Sequence, residues 1–160
     1  MQISSVRLNI PEGSNLILGQ SHFIKTAEDL YEAIAGTATS ARFGLAFSEA
    51  SGDCLIRLEG NDKELIEAAK QNSIALKCGH TFVVLIRGAF PISVLNAIKG
   101  LQEVCEIFCA TANPIEVVVA CSEQGCGVLG VIDGFSPKGV EDEAKVKERR
   151  ALLRRFGYKL

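Results

Sequence analysis

The run Thr81 to Ile86, TFVVLI, constrains this chain more than any other stretch. It has the length and β-branched content of a strand buried on both faces, so neighbouring elements must cover each side of it. Further strands are expected at Ile3–Ile10, closed by Pro11, at Leu16–Leu18, broken by Gly19, and at Phe43–Glu49 and Cys54–Glu59. Ala50, Ser51, Gly52 and Asp53 join the last two into a hairpin. Val104–Ala110, Ile115–Cys121 and Val128–Ile132 complete the strands. Thr26 is expected to cap a helix over Ala27–Ala35, with Asp29 reaching back and Leu30 and Ile34 facing inward. Asn61 is placed to cap a second helix, with Glu64 third in line and Leu65, Ile66, Ala69 and Leu76 inward. Pro91 suits the first turn of a third, which carries Val94, Leu95 and Ile98 and stops at Gly100. The last is charged, acidic at Glu141–Glu143 and basic at Arg149, Arg150, Arg154 and Arg155, as the helix dipole favours. Seven or eight strands against four helices, with hairpins and helical crossovers together, predict an α/β (mixed α+β) fold. The 160 residues then form one domain, a mixed sheet covered by helices.

Charge and composition exclude several classes of function. A formal net charge of -2 and a pI near 5.7 lack the basic excess of a nucleic-acid binder, and the absence of Trp argues against rows of base-stacking aromatics. No window approaches the roughly 18 apolar residues of a membrane helix, and the expected location is cytoplasmic. The six cysteines include no Cys-x-x-Cys pair, which argues against zinc and for buried thiols acting as small hydrophobes. Cys121 and Cys126 flank a hairpin turn and can face one another across it, so a disulfide is open to an oxidising or hyperthermophilic setting.

The stretch Leu16–Asp29, LILGQSHFIKTAED, orders strand, glycine, histidine, lysine and helix start. That order suits an anion, phosphate first, with Gly19, Gln20, Ser21 and Lys25 as candidate ligands. Gly125, Gly127 and Gly130 spell G-x-G-x-x-G, but a strand rather than a helix follows, so the dinucleotide-fold reading fails. A tight glycine turn that still lets a ligand approach remains, with Gly127 and Gly130 as its candidates. Asp133 and Glu49 each end a strand and could hold Mg²⁺ on a nucleotide if those ends converge. Thr111 and Asn113, in the small-residue segment Cys109–Pro114, could present polar groups to a flat purine. The two histidines, His22 and His80, are too few for an imidazole metal triad, but either could accept a phosphoryl group.

Six segments, GQSHFIKTAEDLYEAI (Gly19–Ile34), FGLAFSEASG (Phe43–Gly52), CGHTFVVLI (Cys78–Ile86), FPISVLNAIK (Phe90–Lys99), CATANPIEVVVA (Cys109–Ala120) and GVLGVIDG (Gly127–Gly134), together resemble the adenosine-specific kinase family, in the family's order. The resemblance implies a compact α/β protein that binds adenosine or AMP, forms a homo-oligomer, a trimer or a multiple of one, and carries a stable phosphate on histidine. Both His22 and His80 fall in family-like segments. Cys126 departs from the polar residue expected between those glycines, which bears on any phosphate contact at that turn.

Two readings of different class follow. One is a phosphotransferase in which a histidine passes a phosphoryl group from a donor such as ATP to adenosine. The other is an adenine-nucleotide sensor in which the phosphate is a switch. Within the first, His22 is favoured over His80, because it stands beside Lys25 and a helix start. His80 follows a helix end, where carbonyls are nearer and the ring can cap the helix.

Overall fold

The computed structural model describes residues 1–160. In chain order the elements are β1 (Gln2–Arg7), β2 (Ser14–Ser21), α1 (Thr26–Thr37), β3 (Arg42–Ser48), β4 (Ile56–Gly60), α2 (Lys63–Leu76) and β5 (Thr81–Arg87). Then come α3 (Pro91–Lys99), β6 (Val104–Thr111), β7 (Ile115–Cys121), β8 (Cys126–Asp133) and α4 (Glu143–Arg155). The eight strands and four helices agree with the α/β reading, but the strands divide into two sheets rather than one. A five-stranded sheet runs β4-β3-β5-β2-β6 and a three-stranded sheet β1-β7-β8. No helix is long and apolar enough to cross a membrane.

Every strand pairing is antiparallel, which corrects the expected mixed sheet. The helical crossovers are present, yet each leaves a gap that another strand fills. β2 and β3, joined through α1, both pair with β5 between them; β5 and β6, joined through α3, both pair with β2. The parallel partners never touch, as in a split βαβ arrangement.

β5 is covered on both faces, as its composition requires. Phe82, Val84 and Ile86 point into a core with Leu30 and Ile34 of α1 and Val94 and Ile98 of α3. Val83 and Leu85 point the other way, onto Leu65, Ala69 and Leu76 of α2 and onto Val117 and Val119 of the three-stranded sheet. The molecule is therefore layered: α1 and α3, the five-stranded sheet, then α2 beside the smaller sheet.

Several local expectations are corrected. β2 does not break at Gly19 but runs through it with an irregular register beside β6. A Cβ there would lie 2.3 Å from Phe82 Cζ and 2.7 Å from the Glu106 carbonyl oxygen, so glycine is needed for packing rather than for a turn. Thr26 does not cap α1: its hydroxyl is shared with Ser21 Oγ, 2.5 Å away, and donates to the Phe23 carbonyl, while Asp29 pairs with Lys25. α2 is capped by Asp62, which accepts from the Glu64 and Leu65 N–H groups. Asn61 instead ties the chain back to β3 through Phe43 N and the Ala41 carbonyl. β1 stops at Arg7; Leu8 still donates its N–H to the Ile115 carbonyl at 3.2 Å, and at Asn9 the Asn72 side chain of α2 takes over with two 2.8 Å bonds. Cys54 and Cys105 are exposed rather than buried, and Cys121 and Cys126 form a disulfide across the β7–β8 hairpin.

Candidate functional site

The two histidines are far apart in sequence but meet at one end of the five-stranded sheet. The β2–β5 register closes at Gln20 opposite Thr81, and the next residue, Ser21, donates its N–H to the His80 carbonyl at 2.9 Å. His22 follows and donates its own N–H to the Glu103 carbonyl at 3.1 Å, which anchors the turn to the start of β6. Antiparallel pairing with a common central strand thus places His22, His80 and Glu103 together.

His22 is exposed, in the turn His22–Lys25 that leads into α1. Lys25 occupies the N-cap position without a side-chain cap, and the first N–H of α1, that of the buried Thr26, donates to the Phe23 carbonyl at 3.0 Å. Its ammonium pairs with Asp29 and lies 3.2 Å from Glu103 Oε2. Those carboxylates, Asp29 first, hold the Lys25 ammonium above its usual range. In return Lys25 holds the Asp29 carboxyl below the usual carboxylate range. Glu103 is 1% exposed, and apart from the Lys25 ammonium its carboxylate oxygens have no partner.

His80 is half-buried and held in the left-handed region at φ 60°, a conformation that costs a non-glycine residue about 1 kcal/mol. Its N–H donates to the Ser48 carbonyl at 2.7 Å, and its ring lies nearly parallel to Phe47 at 6.0 Å. The expected capping of α2 by this ring does not occur; α2 ends on Lys77 in left-handed conformation, whose N–H returns to the Ser73 carbonyl. Gly79 packs so closely under the β3–β4 turn that a Cβ would come 2.8 Å from that of Ala50.

Beside His80 opens a cleft of about 780 Å³ between Ser48–Ala50, Lys77–Gly79 and the β7–β8 hairpin. That volume is in the range of small-molecule sites. Gly127 lines it and Gly130 does not; a Cβ at either would meet open space. Glu49 forms part of its wall, with Oε2 accepting from Leu55 N at 3.0 Å and Oε1 from Arg57 Nη2 at 2.9 Å. These contacts, the Leu55 N–H first, hold the Glu49 carboxyl below its ordinary value. A depressed folded-state pKa means stability that is present above the unfolded value of about 4.3 and is lost as pH falls through the folded one. Glu49→Gln should therefore lose less stability than the wild type between about pH 5 and pH 3. Urea unfolding at both pH values checks this, and equal losses would remove the assignment.

The remaining sequence candidates lie elsewhere. Thr111 pairs with Leu16, and Leu16 with Leu85, at the far end of the sheet. There Thr111 Oγ1 donates to Asp133 Oδ1 at 2.7 Å, Asn113 Nδ2 donates to the same oxygen at 3.1 Å, and Asn113 N donates to Thr111 Oγ1 at 2.9 Å. The cluster satisfies itself. Burial, with the Asp133 charge, pushes the neighbouring Cys109 thiol up to about 12. Counting along the register, Glu49 lies beyond the Phe47–Phe82 pair, about 17 Å along the strands from the Leu85 rung that leads to Thr111 and Asp133. The ends carrying Glu49 and Asp133 do not converge, and no three His, Cys, Asp or Glu residues group as metal ligands. The residues present do not fit the Mg²⁺ site considered from sequence. Gly19 and Ser21 are likewise packing groups, the first under Phe82 and the second bonded to Thr26. Gln20 is half-buried with its backbone in the ladder. Sequence reading missed Glu103 and Phe47; a single Glu at a helix-to-strand junction and a Phe in an apolar strand carry no motif.

Comparison with known proteins bears on this arrangement. The chain is similar to the crystal structure of the PH1918 protein from Pyrococcus horikoshii OT3, with 40% identity and a TM-score of 0.94 over 99% of this chain and 98% of that one. No curated protein matches it. The family model described as adenosine-specific kinase matches residues 6–159, which include both histidines, Lys25, Glu103 and every segment that forms the cleft apart from Met1. The chain belongs to the adenosine-specific kinase family.

Proposed function

We propose that this protein is a phosphotransferase acting on adenosine, with His22 as the phosphoryl carrier and the cleft beside His80 as the nucleoside site. The observation that carries the reading is the meeting of His22, Lys25 and His80 at one sheet end, next to a cleft of nucleoside size. A ring nitrogen of His22 attacks the terminal phosphorus of a nucleoside triphosphate such as ATP, the diphosphate leaves, and the ring gives up a proton. The 5′-hydroxyl of adenosine then attacks the same phosphorus. The N–P bond breaks, AMP forms, and the hydroxyl proton ends on the freed ring nitrogen. Lys25, three residues from His22 at the start of α1, supplies the cation for the phosphoryl charge that develops. His80, stacked on Phe47 and fixed through Ser48 and Ser21, positions the wall between the carrier and the cleft.

Incubation with a phosphoryl donor followed by intact mass should give a one-phosphate adduct that disappears in His22→Asn and persists in His80→Asn. The reverse pattern transfers the role to His80. AMP should bind far more tightly than GMP, because a pocket that pairs the adenine edge leaves its polar groups unpaired against guanine. Calorimetry with both nucleotides tests this, and equal affinity defeats it.

The second reading, a nucleotide sensor in which the phosphate is a switch, draws on the locked state of Glu49. Its bonds to Leu55 and Arg57 leave no free carboxylate on that wall to take the hydroxyl proton. Steady formation of AMP from adenosine and ATP distinguishes the two. In either case the working form is proposed to be a homo-oligomer, a trimer or a multiple of it.

A further inference from the structure

The site around His22 is poor in positive charge for a phosphate site. Lys25 is balanced by Asp29 and Glu103, and Glu28, Glu32 and Glu106 nearby have no ion-pair partner. A phosphoryl group with its three oxygens would meet net negative charge there, whereas phosphoryl transfer rests on cations that neutralise it.

Two lysines without an ion-pair partner lie toward this end, Lys77 on the cleft wall and Lys99 in the last turn of α3, but the largest group of unpaired cations is elsewhere. Residues 143–160 hold seven Lys and Arg against two acidic residues, and residues 1–142 hold ten against seventeen. Most of the basic ones lie on α4, a 13-residue helix with no buried residue. On α4, Arg149 pairs with Glu141 and Lys145 with Glu148, but Lys147, Arg150 and Arg154 have no carboxylate partner. These three are spaced to share one face. A helix this polar, with nothing of its own domain covering it, is stabilised by what it meets outside.

It cannot serve His22 of its own copy. The chain after α4 rests on the body through Phe156, 6.4 Å from Phe90. Phe90 lies past the Arg87 end of β5, whereas His22 lies past the Thr81 end, and the seven residues of β5 span about 23 Å.

We infer that the Lys147–Arg150–Arg154 face of α4 docks on the acidic His22 end of a second copy and supplies the phosphate with its counter-charges. The occupant is chosen by charge: the body is acidic where the site lies, and the arm is the basic part of the same chain. The inference rests on the His22 reading for its chemistry but not for the docking.

The test uses Arg150→Glu/Arg154→Glu in the full chain, with circular dichroism to verify that the exposed change leaves the fold intact. Light scattering at about 50 mM and about 500 mM salt should show weaker self-association than the wild type, most clearly at low salt. Phosphate incorporation at His22 should fall on the order of a hundredfold. Mixing with His22→Asn copies, whose arms are intact, should restore incorporation into the arginine variant, and intact mass separates the two chains. Unchanged assembly overturns the proposal, as does an incorporation defect that mixing fails to repair. If the wild type accepts no phosphate, the phosphotransfer reading fails, while the scattering result still decides whether the arm docks.

Discussion

Gly44→Ala is expected to destabilise the protein by about 3 kcal/mol and to lower its melting temperature by roughly 10 °C. Gly44 sits in β3, between Phe43 and Leu45 of the α1/α3 core, and its open side faces α2. A Cβ at Gly44 would lie 2.1 Å from Ile66 N, 2.3 Å from Leu65 C and 2.6 Å from Ile66 Cα. All three atoms are helix backbone, so no side chain can rotate away, and α2 as a whole must lift off the sheet. The Asp62 cap and the contacts of Leu65 and Ala69 move with it. Thermal unfolding followed at 222 nm measures the effect. A melting temperature within about 2 °C of the wild type would mean that helix and sheet do not approach so closely.

The second large effect is expected from Lys25→Met. Glu103 is buried, and the Lys25 ammonium is the one polar partner its carboxylate has. Removing the ammonium strands a carboxylate out of water, which costs far more than the loss of an exposed ion pair. The charge can be removed as well as paired. Lys25→Met/Glu103→Gln should recover most of the stability lost in Lys25→Met, although it does not restore the cation beside His22. Urea unfolding of both single variants and the double variant gives the coupling directly. If Lys25→Met is neutral, or if the double variant is simply additive, Glu103 does not depend on Lys25. Phosphate incorporation separates the ion pair of this lysine from its proposed role beside His22: the double variant should regain stability but not incorporation.

The contrast between these residues shows where local pattern sufficed. β5 and its burial on both faces could be read from TFVVLI alone, because five consecutive apolar residues leave a strand no solvent face. The β3–β4 hairpin, α3 opened by Pro91 and the dipole-matched α4 were legible for similar reasons, each depending on residues adjacent in sequence. His22 and His80 stood out because the chain has only two histidines, and Lys25 because it stands between one of them and a helix start. Gly19 misled: glycine marks turns often enough that the strand was expected to break there, and only the position of the Phe82 ring explains its presence within β2. Thr26 misled in the same way, since a cap sequence was present but the hydroxyl was taken by Ser21.

The sequence by itself determined the set of elements, the apolar centre of the sheet and the two histidines proposed as phosphoryl carriers, because periodicity, caps and residue chemistry are local properties. Tertiary structure alone decided that all three helical crossovers leave a gap filled by an antiparallel strand, so that no parallel pair forms, and that the strands divide into two sheets. That choice brings His22 to His80 and Glu103, and it sends Asp133, Thr111 and Asn113 to the opposite end. Strand order is set by which apolar faces bury each other across the whole chain. Glu103 in particular acquires its meaning from a cation 78 positions earlier in the sequence, a pairing that no local spacing encodes.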